Sequence, residues 1–169
     1  METERLILRN LVSQDLESIY EWTSDEEVTQ YLTWPTHQNK ETTKRILDQW
    51  LEEYKQENCY RLGIVLKENN KLIGMIDVVD YKEDQPVVGY VLNQNYWGHG
   101  YMTEAFSGVI DYLKEQGFHK IYIEADQRNI GSNRVIQKNG FTFTHRETRP
   151  CSSLKPDLVT VNWYERILD

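Results

Sequence analysis

NQNYWGHGYMTE, residues 93–104, separates the apolar run PVVGYVL at 86–92 from a segment with helical periodicity at 102–116. Gly98 and Gly100 remove side chains where backbone N–H groups could approach a ligand closely. The first N–H groups of the following helix have no partner within it, and the helix dipole is positive at that end. This segment therefore predicts an anion site suited to a pyrophosphate. A tight strand-to-helix turn would use the same glycines, and His99 between them could face either solvent or a phosphate.

The segments on either side of this loop predict a parallel crossover. The helix at 102–116 carries a regular apolar stripe and ends at Gly117. The run KIYIEA at 120–125 predicts the next strand, so 86–125 reads as strand, helix and parallel strand. A further helix at about 130–139 should end at Gly140, and strands at 141–148 and 157–167 should form an antiparallel pair.

The N-terminal half predicts three helices and the first strands of the same sheet. A strand at 5–10 precedes a helix with Ser13 as its N-cap, and a short helix follows at 25–32. Apolar residues spaced for one helical face occur over 40–56, and KENNK divides two β-rich runs, 60–66 and 72–80. We expect one α/β domain over residues 1–169, with a mixed sheet that is antiparallel first and parallel in the middle.

Composition limits the classes of function. The 169 residues carry 19 basic and 27 acidic side chains, a net charge of -8, which argues against a protein that binds nucleic-acid phosphates. The balance suits an amine-bearing partner, although many acidic proteins are merely soluble. The chain has no membrane-length apolar segment, so we expect a cytoplasmic protein without membrane partners. Cys59, Cys151 and the four histidines match no metal spacing, and the two thiols are expected to be buried or incidental.

Four segments together resemble one enzyme family. They are GYVL at 89–92, YWGHGYMTEA at 96–105, ADQRNIGSNRVIQKNGF at 125–141 and YLTWPTHQNKE at 31–41. Their order and spacing are similar to those of the Gcn5-related N-acetyltransferases, and within them to the branch that acetylates the N-termini of ribosomal proteins. The resemblance extends over most of the chain, and the combination is far more specific than any single segment.

The resemblance implies an acetyl-CoA site and no metal. In this family the central strand splays from its parallel neighbour and the pantetheine arm enters the gap, so backbone groups of Val91, Leu92 and Asn93 should pair with that arm. Asn129 matches the family residue that hydrogen-bonds the pantetheine, and Ser132 matches a serine proposed to protonate the departing thiolate. Both are also good helix N-cap types. The N–H groups expected to hold the pyrophosphate are those of Trp97, Gly98, His99, Gly100, Tyr101, Met102 and Thr103.

The chain departs from the wider family at several positions. Ile136 stands where many members have a tyrosine acid, and Val87 stands where a glutamate base is common. Met102 replaces a small residue and could crowd the phosphate or face the core, while Trp97 at the start of the loop is usual for the branch. The carboxylates left as bases acting through water are Asp77, Asp80, Glu104 and Glu124, and the alternative for each is a solvated or structural carboxylate.

The lack of a strong base favours the less basic amines as acceptors. We therefore expect a protein or peptide N-terminus, in a cleft between the helical segment 13–56 and the end of the central strand. Trp34 and Tyr31 either line this cleft or pack in the core. The alternatives are a small amine (a polyamine, an antibiotic or a free amino acid) and a non-catalytic acyl-CoA sensor. The protein could be a monomer or a homodimer.

Overall fold

The computed structural model describes residues 1–169 and contains seven strands and five α-helices. The strands are β1 (Leu6–Arg9), β2 (Arg61–Leu66), β3 (Lys71–Lys82), β4 (Gln85–Leu92), β5 (Lys120–Asp126), β6 (Thr142–Pro150) and β7 (Leu158–Ile167). The helices are α1 (Leu16–Thr23), α2 (Glu26–Thr29), α3 (Lys40–Glu53), α4 (Tyr101–Glu115) and α5 (Ile130–Lys138). None of these helices is both long and apolar enough to cross a lipid bilayer.

The strands form one mixed sheet, as predicted, and their order in it is β1-β2-β3-β4-β5-β7-β6. Its one parallel pair is β4 with β5, and this pairing is limited to Val87 with Tyr122 and Val88 with Ile123. By contrast, β4 pairs with β3 along almost its whole length. Strands β4 and β5 therefore diverge beyond Val88 and leave a wedge-shaped gap, which confirms the predicted splay.

Apolar side chains cover both faces of the sheet. Helices α4 and α5 bury one face around Phe106, Ile121 and Ile136, while α1 and α3 bury the other around Trp22 and Leu47. Met102 was expected either to crowd the phosphate or to face the core. Its side chain is 5% exposed and packs in the apolar cluster beneath α4 and α5, so it faces the core. Gly117 and Gly140 follow α4 and α5 with φ of 94° and 77°, which confirms both predicted ends.

Two local predictions differ from the structure. Ser13 does not cap α1, because residues 13–15 form a 3-10 turn in which the Asp15 carboxylate accepts from the Val12 N–H at 2.8 Å. The carboxylate is the stronger acceptor and is also held by Arg9 at 2.9 Å. The short helix expected at 25–32 is also shorter in the structure, where α2 spans only Glu26–Thr29.

Candidate functional site

The loop before α4 has the backbone conformation that its glycines suggest. Gly98 has φ of 79° and Gly100 has φ of 77°, both in the left-handed region that residues with a Cβ rarely adopt. A Cβ built on Gly98 would meet no atom within 4 Å. The glycines are therefore required by backbone conformation. The space beside Gly98 is open to a ligand, whereas a Cβ on Gly100 would lie 3.5 Å from Arg5 Nη2.

The main-chain donors of this loop are free. The N–H groups of residues 98–103 have no hydrogen-bond acceptor in the protein, and the first helical hydrogen bond runs from Glu104 N–H to Gly100 O at 3.0 Å. Trp97 differs from the other predicted loop residues, because its N–H already donates to Gln94 O at 3.2 Å. Six consecutive free donors at the positive end of a 15-residue helix fit a diphosphate well.

An ion pair from the N-terminal segment anchors the loop. The Arg5 main-chain N–H and Nε donate to the two oxygens of Glu104, each at 2.8 Å, and Arg5 Nη1 donates to His99 O at 2.8 Å. The Arg5 guanidinium also lies 4.4 Å from the centre of the Tyr101 ring. Sequence patterns carry no signal for the ion pair between Arg5 and Glu104, because these residues are 99 positions apart.

Glu104 is thereby removed from the candidate bases. Burial acts to raise its pKa, but hydrogen bonds from Thr3 and Arg5 outweigh that effect and hold the pKa below its usual value. The carboxylate is ionised and fully occupied in holding the loop. Its role here is to position the loop backbone.

The register of β4 decides which backbone groups face the gap. Asn93 N–H donates to Ile73 O of β3 at 2.7 Å. Hydrogen-bonding directions alternate along a strand, so Val91 also faces β3, while Tyr90 and Leu92 face the gap. Of the three residues expected to pair with a pantetheine arm, only Leu92 presents its backbone there, and its carbonyl accepts from Trp97 Nε1 at 2.8 Å.

The Asn93 side chain also has a local role. Its Oδ1 accepts from Asn95 N–H at 3.0 Å and its Nδ2 donates to Glu21 at 3.0 Å, so the buried amide fixes the turn that leaves β4. The main-chain N–H and the side-chain amide of Asn93 are therefore both engaged in hydrogen bonds outside the gap. The expected contact between Asn93 and the pantetheine therefore lacks a free group.

The start of α5 brings Asn129 and Ser132 to the same region. Asn129 Oδ1 accepts from Ser132 N–H at 3.2 Å and caps the helix, while its Nδ2 makes no hydrogen bond. Capping and ligand binding are therefore compatible for Asn129. The Ser132 hydroxyl lies 2.9 Å from the hydroxyl of Tyr90 on β4.

A buried amide network, which the sequence did not reveal, holds the connection from β5 to α5. Asn133 Nδ2 donates to the carbonyls of Asp126 and Asn129 at 3.0 and 2.7 Å. Asn133 Oδ1 accepts from Asn162 Nδ2 at 2.9 Å and from Tyr164 OH at 2.6 Å. Because every polar atom of the buried amide is paired, the first turn of α5 is held firmly in place.

The remaining candidate bases differ in their surroundings. Asp80 is exposed on β3 and accepts only from the N–H of Tyr81. Glu124, the first β5 residue after the last β4–β5 pair, receives a hydrogen bond from Arg149 on Oε1, while its Oε2 is buried without a partner. Among the four, Glu124 has an unpaired buried oxygen next to the point where the two strands diverge.

Asp77 is held by a buried arginine. Arg61 Nε lies 2.9 Å from Asp77 Oδ2, Arg61 Nη1 lies 2.8 Å from Glu53, and the Arg61 and Asp77 side chains are 10% and 11% exposed. Burial raises the pKa of Asp77 to about 6, with the opposing attraction of Arg61 too weak to cancel it. This carboxylate is a structural group of the sheet face beneath α3.

The raised pKa gives Asp77 a distinct pH signature. Since the folded-state pKa of about 6 exceeds the ordinary value of 3.8, its contribution to the free energy of unfolding is present in full below about pH 4 and is lost as the pH rises through 6. We expect urea unfolding between pH 4 and 7 to show this slope in the parent chain and to lose it in Asp77→Asn. Asp48→Asn, in an exposed pair with Lys44, should retain the slope; an unchanged slope in Asp77→Asn would contradict the assignment.

A cleft of about 580 Å³ lies beside the segment expected on the acceptor side. The cleft is bordered by the 34–39 segment, by one side of α3 and by Leu154 of the β6–β7 connection. Tyr31 is not among its lining residues, and the guanidinium of Arg128 lies over the Tyr31 ring at 5.4 Å. The cleft-lining residues are Trp34, Pro35, Thr36, His37, Gln38, Asn39, Thr42, Arg45, Ile46, Trp50 and Leu154.

The β6–β7 connection forms a wall of this cleft because it is fastened to the chain after α2. Lys155 Nζ donates to the carbonyls of Thr29 and Leu32 at 3.1 and 2.8 Å, and Ser152 Oγ donates to Thr33 O. Cys151 packs at the same junction and, like Cys59, is a half-buried free thiol. No group of three or more His, Cys, Asp or Glu side chains is placed to hold a metal ion.

Comparison with known proteins gives a consistent match. Residues 5–142 match the family model described as an acetyltransferase (GNAT) domain. The uncharacterized N-acetyltransferase YnaD of Bacillus subtilis is 31% identical over 140 residues, which is 82% of this chain and 79% of that protein. An acetyltransferase of the GNAT family from Bacillus anthracis superposes with a TM-score of 0.84 at 25% identity, covering 99% of this chain and 97% of the other.

The fold is also that of an enzyme solved with coenzyme A. RimL, a ribosomal L7/L12 alpha-N-protein acetyltransferase in complex with coenzyme A, superposes with a TM-score of 0.84. The match covers 99% of this chain and 96% of RimL, at 20% sequence identity. At that identity the likeness concerns the fold.

Proposed function

Because this chain belongs to the acetyltransferase (GNAT) family and is an acetyl-CoA-dependent N-acetyltransferase, we propose that its acceptor is the α-amino group of a protein or peptide. The observation that carries the proposal is the state of the candidate bases. Glu104, Asp77 and Glu124 are each paired with an arginine and Asp80 lies in solvent, and of the four only Glu124 keeps a buried oxygen without a partner. With a pKa of about 7.7–8.0, roughly a tenth of α-amines are neutral at pH 7, against under about one in a thousand lysines. A site with so little basic assistance favours the α-amine.

The proposed acetyl-CoA site uses the loop and the gap. The six free N–H groups of residues 98–103 hold the diphosphate, and the backbone groups of Tyr90 and Leu92 and the free Asn129 amide face the pantetheine arm. Bound acetyl-CoA supplies an activated acetyl thioester. The β4 residues whose backbone faces the gap are Tyr90 and Leu92, and an N–H group on this side polarises the carbonyl of the acetyl thioester.

The residues around the gap align the acceptor amine and protonate the leaving sulfur. Glu124 Oε2 accepts a hydrogen bond from the acceptor amine and aligns it, and the cleft beside Trp34 receives the residues that follow the amine. The Ser132 hydroxyl gives its proton to the sulfur as the carbon–sulfur bond breaks. No covalent enzyme intermediate is needed, and residues 1–169 act as one catalytic domain.

A thiol-release assay tests the acceptor. We expect peptides that begin with alanine or serine to release free coenzyme A with kcat/KM at least about tenfold above that of the same peptides with a blocked N-terminus and an internal lysine. Measuring both at several pH values separates the effect of amine ionisation from that of peptide binding. Equal rates for the free and blocked peptides would contradict an α-amine acceptor.

A small polycation is the second candidate, and the net charge of -8 favours it. Spermidine and an aminoglycoside in the same assay distinguish the two, because a charge-steered acceptor should lose rate steeply as salt is added. A faster reaction with spermidine than with any peptide would replace the first proposal with the second. Binding of acetyl-CoA without thiol release from any amine would indicate a sensor.

A further inference from the structure

Tyr90 reaches across the gap to the first turn of α5. It lies on β4 two residues beyond Val88, the last residue paired with β5, and its hydroxyl is 2.9 Å from Ser132 Oγ and 3.1 Å from Ser132 O. Its ring packs 5.7 Å from that of Phe106 in the core, so the hydroxyl has a fixed position. The contact joins two elements that the sheet no longer holds together at this level.

The position of hydrogens in this contact determines what Ser132 can do. A tyrosine hydroxyl has one proton. If Tyr90 gives it to the carbonyl of Ser132, the Ser132 proton points back to Tyr90 and is unavailable. If Tyr90 gives it to Ser132 Oγ, the Ser132 proton is free to point into the gap. The Ser132 carbonyl does not need a hydrogen bond from Tyr90, because its ordinary donor in an α-helix is the N–H group four residues later, that of Ile136.

We propose that Tyr90 is a positioning residue that donates its hydroxyl proton in a hydrogen bond to Ser132 Oγ and so directs the Ser132 proton toward the thioester sulfur. This inference rests on the proposed role of Ser132. The neighbouring position on the same face of α5 is Ile136, which is fully buried and has no polar atom, so it cannot supply such a bond. The hydroxyl of Tyr90 is the partner that the fold provides.

The proton count for this arrangement balances. As the carbon–sulfur bond breaks, its electron pair stays on sulfur and Ser132 Oγ gives sulfur a proton. The proton that the acceptor nitrogen loses on forming the amide returns to Ser132 Oγ. Tyr90 keeps its own proton throughout and stabilises the developing negative charge on Oγ. Burial raises the pKa of Tyr90, which agrees with a phenol that stays protonated.

The test uses Tyr90→Phe, which keeps the ring and removes the hydroxyl. We expect kcat to fall about tenfold, the loss of one hydrogen bond to a developing charge, with little change in the KM for acetyl-CoA. We also expect the pKa of the thiol of bound coenzyme A, followed by its thiolate absorbance during a pH titration, to rise. A purely structural role for Tyr90 would leave that thiol pKa unchanged.

Three further variants complete the experiment. Tyr112→Phe removes a hydroxyl that makes no hydrogen bond and should change neither quantity. Adding Tyr90→Phe to Ser132→Ala should cause no further loss, because Tyr90 acts through Ser132. An additive loss, or an unchanged kcat and thiol pKa in Tyr90→Phe while Ser132→Ala affects both, overturns this inference alone. If Ser132→Ala itself changes neither, the proposed role of Ser132 fails as well.

Discussion

Gly100→Val is expected to weaken binding of coenzyme A by about a hundredfold or more while the chain still folds. Gly100 has φ of 77°, a conformation that costs a β-branched residue on the order of 1–3 kcal/mol. The chain can relieve this strain by rotating the loop, which turns the N–H groups at 98–103 away from the diphosphate. Hydrogen bonds to a charged group contribute about 1.5–3 kcal/mol each, so losing two accounts for the expected effect. Isothermal titration with coenzyme A measures it directly.

Gly117→Val is the matched control for this experiment. Gly117 lies at the other end of the same helix with φ of 94°, and a Cβ there would meet no atom within 4 Å. The backbone cost should therefore be similar, which urea unfolding of both variants can verify, while coenzyme A affinity should stay at the parent value. Unchanged affinity in Gly100→Val would remove the loop from the diphosphate site. A similar loss of affinity in both variants would indicate a general effect of helix strain.

The features that sequence predicted are those with a local or periodic signature. The apolar stripe of α4 repeats along the helix, and the glycines at 98, 100, 117 and 140 mark positions where the chain must adopt positive φ. The mixed sheet follows from the alternation of strand and helix patterns. The gap between β4 and β5 came from the family resemblance, since periodicity does not reveal where two parallel strands diverge.

The features that sequence missed depend on register or on distant partners. Val91 and Asn93 were expected to face the gap, but strand geometry alternates with a period of two, so a shift by one residue exchanges them with Tyr90 and Leu92. The contact from Tyr90 to Ser132 joins residues 42 positions apart, and that from Lys155 to Leu32 joins residues 123 apart. A single polar residue in one sequence does not indicate which distant residue will be its hydrogen-bond partner.

Ser132→Ala is expected to lower kcat about a hundredfold, the lower range for loss of a general acid, with the affinity for acetyl-CoA nearly unchanged. The substitution separates the two interpretations of this serine. Asn129 caps α5 through the main-chain N–H of Ser132, which alanine retains, so the cap survives and the stability should change little. Steady-state kinetics with saturating acetyl-CoA, together with urea unfolding, measure both quantities.

Ser13→Ala provides the control, because Ser13 is an exposed serine in a helical turn outside the gap. It should leave both kcat and stability at the parent values. If Ser132→Ala instead lowers the free energy of unfolding and leaves kcat unchanged, the Ser132 hydroxyl stabilises α5 and a solvent molecule protonates the sulfur. If Ser132→Ala lowers kcat and leaves the affinity for acetyl-CoA unchanged, the Ser132 hydroxyl is the source of the proton given to the sulfur. The substitution preserves every main-chain contact of residue 132 and removes only the hydroxyl that faces Tyr90.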